Sequence, residues 1–150
     1  MNWAAVSIAI ALTSALAAVI GLLWSAGEAR RATRHQVFTE YTRRYQEIML
    51  RIPTTIFTVD FDFDQLGQEQ SEATLRAMRA YFDMCWEELH LRQEKKLDTR
   101  VWEYWRDGIL DLAKYPAFGQ AWNRISRGRY YDRPFSAFIE DVKLGRVRTK

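Results

Sequence analysis

From Trp3 to Trp24 the chain reads WAAVSIAIALTSALAAVIGLLW, a run without a single charged residue. Coiled as a helix rising about 1.5 Å per residue, such a run reaches across roughly 30 Å, the hydrocarbon core of a bilayer. Tryptophans at its two ends suit the two headgroup levels, where an amphipathic ring is favoured. The sequence therefore predicts a transmembrane anchor over 1–27 and a separate domain over 28–150. A secretory signal peptide is the alternative, with Ser25-Ala26-Gly27 as a small-residue cleavage site. The run is longer than a usual signal core, and no Lys or Arg precedes it. Arg30, Arg31 and Arg34 follow the run closely. Positive residues stay inside, so the expectation is a single-pass protein of a bacterial inner membrane, its N-terminus outside and its larger domain in the cytoplasm. Those three arginines become candidates for lipid headgroup contact. Ala4, Ser7, Ala11, Ser14, Ala18, Gly21 and Ser25 form a seam of small side chains. That seam suits packing on another copy or another membrane protein, although an alanine-rich run yields small residues on every face.

Charge is distributed unevenly along the 150 residues. The formal net charge is +3. Residues 28–51 hold six arginines against three glutamates, residues 60–123 eight Lys/Arg against thirteen Asp/Glu, and residues 124–150 eight against three. Basic ends thus flank an acidic middle. Basic ends next to a membrane are drawn to anionic lipid; the same charge can attract nucleic acid, through Arg124, Arg127, Arg129 and Arg133. The lone cysteine, Cys85, cannot close an intramolecular disulfide, which suits a reducing compartment.

Beyond the apolar run the period is helical. Val37, Phe38, Tyr41, Tyr45, Ile48, Met49 and Ile52 recur at three and four, with Pro53 as a stop. Ser71 is a candidate N-cap for a second helix with Leu75, Met78, Phe82, Cys85, Trp86 and Leu89 on its apolar stripe. Asp98 caps a third, carrying Val101, Trp102, Trp105, Ile109 and Leu112 and ending before Pro116. A short helix over about 117–127 buries Phe118, Ala121, Trp122 and Ile125, with Gly128 closing it. The last begins near Pro134 and uses Phe135, Phe138, Ile139 and Val142 up to Gly145. The tail RVRTK is expected to fray. The fold class is all-α: one spanning helix and a bundle of four to five helices, without repeats or a Gly-rich phosphate loop.

Residues 57–65, FTVDFDFDQ, alternate apolar residues with Asp60, Asp62 and Asp64. That spacing matches the first ligands of an EF-hand loop, but the required glycine and bidentate glutamate are replaced by Gln65 and Ser71. It also imitates the strand-then-DxD start of a haloacid-dehalogenase-type phosphotransferase, whose chemistry needs a parallel sheet that one strand cannot build. The remaining reading is an extended connector that buries Phe57, Val59, Phe61 and Phe63 and leaves the aspartates in water.

Glu87 and His90 stand three apart in EELH, half of a di-iron carboxylate motif; the second half is missing, since His35 has no glutamate three residues before it. The expectation is that Glu87 and Glu88 pair with arginines of a neighbouring helix and that His90 is partly exposed. Trp86, Trp102, Trp105 and Trp122 can stack on a planar ligand, yet each lies on an apolar stripe and reads as core. Cys85 does too, as an inert thiol.

Tyr81, Phe82, Cys85, Glu87 and Glu88 (YFxxCxEE), followed by Val101, Trp102, Trp105 and Gly108 (VWxxWxxG), resemble small bacterial membrane-anchored proteins of uncharacterised, DUF-type families. The resemblance spans about residues 36–125. It implies a single-pass, all-helical architecture and no particular activity. The expectation from all of this is a non-enzymatic interaction or scaffold module without a cofactor. Its partner would be a protein or a second copy, met through Arg43, Arg44, Arg76, Arg79, Glu87 and Glu88. The alternatives are a tethered metal-dependent enzyme using Glu87, Glu88, His90 and the three aspartates, or a tethered nucleic-acid binder.

Overall fold

A computed structural model describes the backbone of residues 3–128 and 131–147; the side chains of residues 3–15, 17, 29–31, 33 and 34 are outside the described set. The described elements are α1 (Trp3–Met49), α2 (Gln68–Gln93), α3 (Thr99–Leu112), α4 (Pro116–Ile125) and α5 (Arg133–Lys143), with 3-10 turns at Thr54–Phe57 and Phe63–Gln65. No strand occurs among the described residues, so the all-α expectation holds.

The spanning segment is corrected. No helix is long and apolar enough to cross a membrane, among the described residues. The apolar stretch whose side chains are described, residue 16 and residues 18–24, covers only about half of the ~30 Å needed. The remainder of the expected span, with most of the small-residue seam and with Arg30, Arg31 and Arg34, lies outside the described side chains. Nor does the helix break at Gly27. It continues as one helix to Met49, because a glycine without a following proline lowers helix propensity by only about 1 kcal/mol. Two compact units result, residues 1–39 and residues 40–150.

The second unit is built around α2. Its buried face is wider than one stripe: Thr74, Ala77, Met78, Tyr81, Phe82, Met84, Cys85 and Glu88 are all buried. A helix touched on several sides buries more than its regular apolar positions, and α2 packs on both α3 and α4. It starts at Gln68 after Gly67, three residues ahead of the expected Ser71 cap. Asp98 does cap α3, accepting from the Arg100 amide at 2.9 Å. Asp132 caps α5, accepting from the Phe135 amide at 2.8 Å. Its other oxygen accepts the Trp86 indole N–H at 2.9 Å, so one carboxylate starts a helix and satisfies a core tryptophan.

The core is aromatic. Phe82 meets Phe118 and Trp122 edge to face with centroids 5.0 and 5.1 Å apart, and Trp122 meets Phe135 at 5.7 Å. The four stripe residues expected on α4 are all buried, as are Phe135, Ile139 and Val142 on α5. Two helices end in the same way. After α5, Gly145 takes a left-handed φ of 65° while Arg146 N–H bonds back to the Asp141 carbonyl. After α2, Lys95 does this at φ 58°, with Lys96 N–H on the Leu91 carbonyl. Both are six-to-one C-caps of the kind glycine favours. Arg146 and the partly buried Val147 therefore belong to the fold rather than to the expected tail.

The aspartate connector departs from the simple alternation. The first 3-10 turn points Ile56 inward, leaving Phe57 exposed and Val59 85 % exposed. Only Phe61 and Phe63 are buried as expected, edge to face at 4.9 Å. Gln120 of α4 holds them, donating to the Phe61 carbonyl at 2.9 Å and accepting from the Phe63 amide at 3.1 Å.

Candidate functional site

A cavity of about 270 Å³ opens in the second unit where the C-terminal part of α1 meets α2 and α3. Helical spacing explains its lining. Tyr41 and Tyr45 stand four apart on α1, Tyr81, Cys85 and Glu88 at steps of four and three on α2, and Tyr104, Gly108 and Asp111 likewise on α3. Such steps place each set on one helix face. Trp105, Met84 and Asp107 complete the part of the wall that matters chemically.

Tyr41 of the wall also belongs to a polar clamp whose other members, Arg44 and Glu87, do not line the cavity. Arg44 reaches both oxygens of Glu87, at 2.7 and 3.3 Å, and the Tyr41 hydroxyl donates to the same carboxylate at 3.1 Å. The Tyr41 ring lies 5.0 Å from that of Trp105, stacked at 28°, and the Arg44 guanidinium sits 5.2 Å from the same tyrosine ring. The fork of Arg44 holds Glu87 below the usual carboxylate range, chiefly through the hydrogen bond. Burial, then the Glu87 charge, pushes the Tyr41 hydroxyl up to about 12.

Glu88 is the opposite case. It is 3 % exposed and lines the cavity. No side-chain bond holds it among the described residues, and because no fully buried side-chain oxygen there lacks a partner, its carboxyl meets solvent through the cavity. Burial raises its carboxyl from 4.5 to about 8, opposed by Arg44 and reinforced by Glu87. It is therefore mostly protonated at neutral pH. The fully buried Cys85 thiol is pushed well up by burial first and by Glu88 second, and the Tyr81 hydroxyl is pushed up by burial. These are groups held in their neutral forms.

The expected site residues are dispersed. Glu87 does pair with an arginine of another helix, whereas Glu88 does not. Arg43 is taken up within its own helix by Glu40 at 2.6 Å and by Glu47. Arg76 is exposed and 3.8 Å from Glu72, and Arg79 is exposed elsewhere on α2. His90 is exposed and pairs with Glu94 at 3.1 Å. Asp62 accepts from the Asp64 amide at 3.0 Å, and Asp64 binds Arg124 at 2.7 Å. No group of three or more His, Cys, Asp or Glu converges on a metal position among the described residues. Of the four C-terminal arginines, Arg124 is held by Asp64 and lies 4.8 Å from the Phe63 ring. Arg127 and Arg133 are exposed, and Arg129 lies outside the described residues.

No family model, curated protein or solved structure matches this chain. The cavity was not legible in the sequence, where Tyr41 and Tyr45 read as ordinary stripe residues and Glu88, like Glu87, as the partner of an arginine on a neighbouring helix. The available signal was register: Glu88 lies three after Cys85 and seven after Tyr81, on the buried side of α2.

Proposed function

We propose that residues 40–150 form a non-catalytic helical interaction module that takes a small molecule in the aromatic cavity over Glu88. The observation that carries this reading is an acid, 3 % exposed, facing a 270 Å³ space without a hydrogen-bonding partner among the described residues. Such a carboxyl reaches water only through the cavity, and a concave aromatic surface around it has the usual composition of a ligand site, apolar walls with a few polar groups. The protonation states favour binding over catalysis. Cys85 and Tyr81 are held neutral by burial, so neither supplies an activated nucleophile.

The test is the indole N–H region of an amide correlation spectrum of the full chain, titrated with a set of small aromatic, amine and alcohol fragments. The Trp105 signal, assigned with Trp105→Phe, is expected to move while that of Trp122, buried in the core, stays. Uniform silence of Trp105 across the set refutes the reading.

A further inference from the structure

The cavity wall contains three carboxyl groups, those of Glu88, Asp107 and Asp111, and no lysine, arginine or histidine. Asp107 is bonded to Arg106 at 2.9 Å and Asp111 to Lys114, and each is substantially exposed. Glu88 has no such neighbour. The guanidinium that acts on it electrostatically, that of Arg44, is bonded to Glu87.

Resting on the pocket reading above, we infer that the cavity is a site for a small organic cation, an alkylammonium or quaternary ammonium group, seated against Tyr41, Tyr45, Tyr81 and Trp105 with Glu88 as its counter-ion. Aromatic rings attract such a cation through their quadrupole, most strongly where water is excluded. A buried carboxylate supplies the opposite charge, which a low-dielectric setting makes more effective. An anion would meet three acids and no base. A neutral apolar occupant would leave the Glu88 carboxyl dry and unpaired, at the full cost of its desolvation. A bare divalent metal would need oxygen ligands that converge, which the described acids do not. Entry of a cation requires no covalent step: Glu88 releases one proton to solvent, and the cation's positive charge takes its place.

The decisive comparison uses a matched pair, choline and its uncharged isostere 3,3-dimethylbutan-1-ol, titrated into the full chain and followed at the Trp105 indole. Choline is expected to bind at least about tenfold more tightly. Glu88→Gln is expected to cut that preference severalfold, leaving only the part the rings supply, while the alcohol's affinity stays unchanged. Glu88→Gln keeps the shape and hydrogen-bonding capacity of the acid, and a retained amide spectrum shows that it folds. Should Tyr45→Leu also be made, choline binding falls while the fold persists, because a ring is lost but the counter-ion stays. If the alcohol binds as well as choline, the cation assignment is overturned and the pocket survives. If neither ligand moves Trp105 but an uncharged aromatic fragment does, the cation assignment fails in the same way. If no fragment of any class moves it, the pocket reading fails as well.

Discussion

Glu88→Gln tests the energetics of the site directly. An acid whose pKa is raised on folding binds its proton more tightly in the folded chain than in the unfolded one. Its contribution is therefore neutral below the unfolded pKa, and it destabilises progressively as pH rises from there toward the folded value. For Glu88 that window runs from 4.5 to about 8. Each pH unit within it removes about 1.4 kcal/mol. Wild type should thus lose up to about 3 kcal/mol relative to Glu88→Gln by pH 7, and up to about 5 by pH 8.5. The assay is urea unfolding of both proteins at pH 4.5, 6, 7 and 8.5, compared as the difference between them so that other titrating groups cancel. Equal stability is expected at pH 4.5, with the variant increasingly ahead above it. Glu87→Gln serves as the contrasting control. The Arg44 fork lowers the Glu87 pKa, so its stabilisation is present at neutral pH and is lost as pH falls through its folded value; that variant should be the less stable one at pH 7. A Glu88→Gln difference that does not change with pH refutes the claim that Glu88 is buried and protonated.

Two helix positions give further predictions. Gly108 is helical, and a methyl group added there meets nothing within 4 Å. Gly108→Ala should therefore stabilise by about 0.5–1 kcal/mol through helix propensity, read as a raised urea midpoint; a lower one would mean that the wall there is closed. Lys95 holds a left-handed φ of 58°, which costs an L-residue about 1–2 kcal/mol. Lys95→Gly should then gain about 0.5–1 kcal/mol after the added entropy of the unfolded chain, and no gain would contradict the six-to-one cap.

Where the chain repeats a strong periodic signal, the sequence was a sufficient guide. Phe118, Ala121, Trp122 and Ile125 on α4 needed only their spacing, and Asp98 only its position before an amphipathic run. Where burial depends on a second or third neighbour, periodicity was silent. Tyr81, Met84 and Glu88 lie inside because α2 is covered on more than one side, which no single stripe records. The comb at 57–65 misled for a local reason: a 3-10 turn at Thr54–Phe57 exchanges Phe57 for Ile56 as the buried residue. The helix runs on through Gly27, where the sequence puts the boundary between anchor and domain, because glycine weakens a helix without stopping it; the spanning segment itself rested on the apolar run, its end tryptophans and the arginines after it.

The Gln120 side chain has a consequence for how this chain behaves in company. Its one amide offers the connector at Phe61–Phe63 both a donor and an acceptor, which is what an adjacent strand would otherwise provide. Open hydrogen-bonding edges of this kind invite pairing between molecules. Part of the safeguard against such pairing is therefore stored in a single glutamine almost sixty positions later, beside the charges of Asp60, Asp62 and Asp64 in the connector itself.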